Sequence, residues 1–217
     1  MANNKDDFPL TPWDKHSDQP HIIRDKKFKR RLYRLGAIGS LKTLCIGIAS
    51  LPLAWLIRRQ TPRPVYPVDS SDIGLCINVE SVLPEKTCAT NQQLRMLADE
   101  LAVDHILVRL PLSDATNLQP YIDLLRAMGS RKFVFDVLQD RQHIERPALL
   151  EGHLREIFST FRKFGSVFKI GNAINRRKWG FTSQDEYFIF FKAAQRLRDA
   201  EFSDLKLLGG NICLLYT

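Results

Sequence analysis

Five short apolar runs, each followed by a stretch of helical periodicity except the last, constrain this chain more than any other feature. The runs are GLCINVES (74–81), HILVRLPL (105–112), KFVFDVLQ (132–139), VFKIGNA (167–173) and LKLLGGN (205–211). They are continuous rather than alternating, which is the pattern of strands buried on both faces, and such strands separated by helices make a parallel sheet with helical cover. The helical stretches carry their own punctuation. Thr90 with Gln93 and Ser183 with Glu186 fit capping boxes, Pro147 fits a first turn, and Gly129 and Gly165 fit helix ends. Tyr187, Phe190, Phe191, Ala194 and Leu197 recur at helical spacing and predict one buried face.

Four βα units and a fifth strand can wind in two ways, as an open doubly wound sheet or as part of a (β/α)8 barrel. A dinucleotide-binding sheet is expected to carry a glycine-rich turn after its first strand, and SVLPEKTCATN contains no glycine. The expectation is therefore an α/β chain with an incomplete (β/α)8 barrel over residues 72–217. In such barrels the loops at the carboxyl ends of the strands build the site. Arg109, Asp136 and Asn172 stand at or near the ends of three successive strands, each inside an otherwise apolar run. After Asn172 the chain runs into AINRRKWGF, where Asn175 and Trp179 can bind and stack on a sugar and Arg176, Arg177 and Lys178 can engage an anionic substituent. The alternative for this stretch is a solvated cationic loop, with Trp179 packed over the rim. Arg109 is expected to orient neighbouring groups, with Asp136 as its ion-pair partner.

Ahead of the domain lies a second constraint. From Leu35 to Ile57 the only charge is Lys42, and 23 helical residues at about 1.5 Å each span roughly 34 Å, enough for a bilayer core. Lys42, near one end, can snorkel to the headgroups, and Pro52 is tolerated in a spanning helix. No small-x-small cleavage pattern follows, so residues 35–57 are expected to be an uncleaved transmembrane anchor. The competing reading is a buried apolar helix of a soluble protein. Residues 1–34 form a basic tail, largely disordered, and 58–71, with TPRPVYPV, a stiff linker.

The net charge of +8 points at first to nucleic acid, but its distribution argues otherwise. Residues 1–60 hold 12 Lys and Arg against 5 Asp, which leaves 20 against 19 for the rest, so the domain is nearly neutral. Cations beside an apolar helix enforce topology, and the six among residues 26–34 outweigh Arg58, Arg59 and Arg63. The amino terminus is expected to stay cytoplasmic while the domain crosses, and no nucleic-acid partner is expected. The four cysteines, Cys45, Cys76, Cys88 and Cys213, and the five histidines follow no ligand spacing, so neither metal nor cofactor is expected. Cys88 reads as loop-borne, and a Cys76–Cys88 disulfide is an alternative to buried thiols.

The order of Arg109, Asp136 and KIGNAIN resembles the first half of the superfamily of retaining (β/α)8 glycoside hydrolases, over roughly Asp72 to Leu208. The stretches LVRLPLSD, FVFDVLQDRQHIERP and IGNAINRRKWGFTSQDEYFIFFKAAQRLRD look like a bacterial, membrane-anchored branch of it. The resemblance implies that Asn172 binds the sugar hydroxyl next to the scissile bond, and that a glutamate acid/base follows it. Ala173 stands there instead, and an alanine methyl cannot protonate a leaving group. The second carboxylate, which the family carries on its seventh strand, lies beyond residue 217. Retaining hydrolysis needs two carboxyls about 5 Å apart, and Glu80, Asp114, Asp136 and Asp140 fit caps, turns and surface charges better than an unusual pair.

Two functions follow as expectations. The first is a glycoside-hydrolase-like barrel in a bacterial inner membrane, its domain periplasmic, that binds a cell-envelope carbohydrate, anionic sugars included, and in full-length form hydrolyses it. The second is a non-catalytic tethered scaffold whose site has decayed. Five strands leave two unpaired edges, so the chain is expected to be either a shortened form of a longer barrel or a half-barrel completed by another subunit.

Overall fold

The computed structural model describes residues 26–61, 73–79 and 84–212. The tail 1–25, the linker residues 62–72, Glu80 and Cys213 lie outside the described residues, as do the side chains of Cys88 and Lys178. Helices α1 (Lys26–Leu35) and α2 (Ala37–Gln60) are followed by β1 (Gly74–Asn78), α3 (Pro84–Glu100), β2 (His105–Pro111), α4 (Gln119–Met128) and β3 (Lys132–Leu138). Then come α5 (Arg141–Glu145), α6 (Pro147–Phe161), β4 (Val167–Ile170), α7 (Gln184–Glu201) and β5 (Lys206–Gly209).

All four strand pairings are parallel and the spatial order is β1-β2-β3-β4-β5. A doubly wound sheet reverses its order at a switch point, so this sheet is singly wound. Right-handed crossovers then put every connecting helix on the same face. That is consistent with a segment of a barrel. Register assigns each side chain to a face. Ile77, Val108, Phe135, Phe168 and Leu207 form one row toward the helices, and Leu110, Val137 and Ile170 the next. These pack against Leu124, Leu125, Leu154, Phe158, Phe161, Phe190 and Ala194 in one continuous core. Its centre is aromatic, with Phe135 5.2 Å from Phe161 and 4.9 Å from Phe168 between ring centroids. Each such side chain contributes about 1.5–3 kcal/mol by leaving water.

Among the described residues the opposite face carries no connecting helix. Cys76, Leu107, Val134, Val167 and Lys206 form one row there, and Asn78, Arg109, Asp136, Lys169 and Leu208 the row above it. Cys76 and Leu208 are exposed and Leu107, Val134 and Val167 half-buried. Among the described residues β1 and β5 each pair with one strand only.

Several sequence expectations change. The strands end earlier than the apolar runs, because the backbone turns away after Asn78, Pro111, Leu138, Ile170 and Gly209. Thr90 lies inside α3 rather than at its start, and Cys88 falls in that helix rather than in a loop. Ser183 does cap α7, accepting from Glu186 N at 3.2 Å, and Pro147 opens α6. The basic segment 26–34 belongs to helix α1, and residues 1–25, where the sequence expects disorder, lie outside the described residues. Helix α2 absorbs Arg58 to Gln60 from the expected linker; it is long and apolar enough to cross a membrane, and none of its residues is buried.

Candidate functional site

The polar row at the carboxyl ends of the strands follows from register. Arg109 lies opposite Asp136, and Asp136 opposite Lys169, so three charged side chains rise side by side from β2, β3 and β4 on the face without helices. Arg109 and Asp136 are 6% and 3% exposed. Beside the Arg109 expected as its partner, Asp136 also meets a lysine: Lys169 Nζ lies 3.0 Å from Asp136 Oδ1. Lys169 escaped the sequence reading because VFKI has the look of a strand with one stray lysine. The signal that finds it is the two-residue period, which puts Lys169 on the same face as Val167 and level with Asp136. Burial pushes the Asp136 carboxyl above the usual carboxylate range, opposed by the positive charges of Lys169 and then Arg109.

Above the row, Gln139 organises the rim. It is fully buried immediately after β3, and its amide is fully used. Nε2 donates to the carbonyls of Asn172 and Trp179, each at 2.8 Å, while Oε1 accepts from Asn172 N at 2.8 Å. The β4–α7 connection is thereby tied to the end of β3. Asn172 is buried, and its Oδ1 lies 3.5 Å from Lys169 Nζ, which joins it to the charged row.

A second tie comes from beyond β5. Asn211 Oδ1 accepts from Ala173 N at 2.9 Å, and its carbonyl accepts from Ile174 N at 3.1 Å. Gly210 makes this approach feasible, since a Cβ there would stand 2.6 Å from Ile174 Cγ2 and 2.9 Å from the Gly171 carbonyl. Its N–H donates to the Tyr187 hydroxyl at 2.6 Å. Burial pushes that hydroxyl up, and the Gly210 N–H opposes the shift. Ala173 has φ +45° and is buried. A longer side chain there meets both the cost of left-handed backbone and a closed pocket.

Of the expected binding residues, Arg109, Asp136 and Asn172 gather at one rim. Asn175 is exposed on the β4–α7 connection. Trp179 belongs to a 3-10 turn over 177–179, is 4% exposed, and packs on Leu138 and Ala173, with the Arg109 guanidinium 5.5 Å from its ring centroid. It is a wall of the site rather than an open stacking platform. Asp114 accepts from the Tyr121 hydroxyl at 2.7 Å, and Asp140 caps α5 through His143 N at 3.0 Å. Both carboxylates serve local structure, so among the described residues Asp136 is the one carboxylate of the row.

The cationic loop reaches the apolar helix. Arg177 donates to the Gly36 carbonyl at 3.3 Å and to Ser40 Oγ, and its guanidinium sits 4.5 Å from the Tyr33 ring centroid. Between them opens a cleft of about 310 Å³ lined by Gly39, Ser40 and Thr43 on one side and Asn175, Arg177 and Thr182 on the other. No group of three His, Cys, Asp or Glu able to hold a metal occurs among the described residues. Chemically, the rim offers cationic and amide donors around the buried Asp136 carboxylate, a set suited to hydroxyl-rich or anionic ligands. Comparison of the chain with family models, curated proteins and solved structures returns no match.

Proposed function

We propose that this chain is a membrane-tethered, glycoside-hydrolase-like partial (β/α)8 barrel that binds a cell-envelope carbohydrate at the carboxyl rim of its sheet without cleaving it. The observation that carries this reading is the register-aligned row Arg109, Asp136 and Lys169 with Asn172 directly above it. Hydroxyl pairs meet their match in an amide beside a charged acceptor and donor, and a carboxylated or phosphorylated sugar adds an ion pair to Arg109 or Lys169. Ala173 in place of an acid/base, and a row that holds one carboxylate among the described residues, argue for binding over hydrolysis. The full chain in nanodiscs, titrated by calorimetry with neutral and uronic-acid oligosaccharides, tests the reading. Saturable binding that Asn172→Ala abolishes supports it; heats of dilution alone across the set refute it.

The tether follows from magnitudes. The apolar residues of α2 are 45–84% exposed, and about 0.3–0.6 kcal/mol per large apolar residue favours insertion at the centre of a bilayer. Over the ten large apolar residues this is about 3–6 kcal/mol before the cost of Lys42, the same order as the two hydrogen bonds and one cation–π contact of Arg177, each about 0.5–1.5 kcal/mol. A span of 24 residues separates its two ends by about 36 Å, so the Arg177 contact yields on insertion and the cationic loop is released to ligand. The cation excess before the helix sets the amino terminus inside and the domain in the periplasm of a bacterial inner membrane.

A non-catalytic scaffold is the second reading, favoured by Trp179, whose burial removes the exposed aromatic face that sugar sites use. A half-barrel completed by a second subunit is compatible with either reading.

A further inference from the structure

Beside the candidate site lies a chain of titratable groups that it does not use. His143, on α5, is 2% exposed, and its Nδ1 lies 2.7 Å and 2.8 Å from the two Asp140 oxygens. Its Nε2 lies 2.8 Å from His153 Nδ1 on α6, and the same His153 nitrogen is 3.3 Å from the Leu112 carbonyl, after β2. Four segments therefore meet through two imidazoles. We propose that the Asp140–His143–His153 chain is a pH-sensitive clasp, which holds the β3–α5 connection, and with it Gln139, against α6 at neutral pH and releases it when both imidazoles are charged.

The number of protons the two rings hold decides whether the clasp is closed. Asp140 accepts, so His143 Nδ1 carries a hydrogen. A nitrogen-to-nitrogen contact of 2.8 Å holds one hydrogen, not two. With both rings neutral, His153 Nδ1 donates toward His143 Nε2 and the Leu112 carbonyl. A first added proton enters at His153 Nε2 and leaves both bonds intact, or passes through the chain to put the charge on His143 beside Asp140. A second added proton leaves N–H facing N–H and two cations with ring centroids 4.9 Å apart, and the contact opens. The released state thus binds one more proton than the clasped state, so clasp stability rises with pH and is lost as pH falls.

Neighbouring charges leave this count to the three residues. Arg141 is committed to Glu145 at 2.8 Å and to Glu186 of α7 at 2.9 Å. Asp114, on the turn that carries Leu112, accepts from Tyr121, and Glu151 of α6 faces Arg196 at 3.9 Å. Asp140 is the carboxylate bonded to the imidazole pair. Because Gln139 precedes Asp140 and positions both Asn172 and Trp179, release transmits acid to the rim. The inference needs no ligand and stands apart from the carbohydrate reading.

Hydrogen exchange of the full chain in nanodiscs, corrected for the intrinsic pH dependence of exchange, tests it on the amides of residues 141–146. Between about pH 7.5 and pH 5, protection is expected to fall about tenfold in the wild type and less than about twofold in His153→Gln. Equal falls in both proteins, or no fall in the wild type, overturn the proposal. Should His153→Gln fail to fold, the ring-nitrogen spectra of the wild type decide: linked titration of His143 and His153 supports the clasp, and two independent single-site curves overturn it.

Discussion

Replacing Lys169 by methionine keeps the length of the side chain and removes its charge, leaving the Asp136 carboxylate without the ammonium 3.0 Å away. Asp136 is 3% exposed, so water cannot replace that partner without opening the rim. Removing one member of a buried pair costs about 3–5 kcal/mol. The lower end applies here, because Arg109 stands opposite Asp136 in register and continues to stabilise its charge. The expected loss for Lys169→Met at neutral pH is therefore about 3 kcal/mol. Asp136→Asn in the same background removes the stranded charge, and the double variant is expected within about 1 kcal/mol of wild type, as uncharged replacements of buried pairs often are. The pH dependence has a definite sign. Burial already raises the Asp136 carboxyl in the folded protein, so the folded state binds more protons than the unfolded state. This group's contribution to stability is complete below the ordinary aspartate range and falls as pH rises through the raised value. Lys169→Met widens that gap, so its deficit grows from acid to neutral pH. Urea unfolding of the full chain in detergent, followed by circular dichroism at about pH 4.5 and pH 7.5, measures both effects. A deficit under about 1 kcal/mol, a double variant no better than the single one, or a deficit that grows toward acid refutes the argument.

Gln139→Leu leaves two carbonyls and one N–H without partners in a closed space, and is expected to cost about 3 kcal/mol in the same unfolding assay. Gly210→Ala is expected to cost about 1–3 kcal/mol, because the added methyl meets Ile174 and the Gly171 carbonyl. Gly152→Ala, with nothing within 4 Å on the exposed face of α6, is expected instead to gain about 0.5–1 kcal/mol, and both are read from denaturant midpoints. Arg177→Ala is expected to leave membrane association unchanged in vesicle flotation, since the exposed apolar residues of α2, and not the loop contact, favour insertion.

The architecture was legible because its cause is local. Uninterrupted apolar runs of strand length and amphipathic stretches such as Tyr187 to Leu197 report burial directly, and both took the expected places. Strand order was open between two windings, since nothing in an isolated strand says which edge its neighbour takes. The rim was half legible. Arg109 and Asp136 stood out as charges inside apolar runs, whereas Lys169 became meaningful only once register set it level with Asp136. Gln139 and Asn211 were only the polar last residues of two apolar runs; their roles depend on hydrogen bonds 33 and 38 residues away in the chain. Trp179 was open between a stacking surface and a residue packed over the rim, because its environment depends on Leu138 and Ala173 arriving beneath it, and the packed alternative is the one the burial fits.

Strand order that repeats chain order has a further consequence for assembly. Every strand after β1 lies down beside the one made just before it, so the sheet can be laid down from the amino end as synthesis proceeds, with no segment waiting for a distant partner. The same rule makes the edge at β5 an open address: another βα unit can be added there without rethreading anything already in place. Natural or engineered variants of different length are therefore expected to share the fold of residues 74–209 strand for strand.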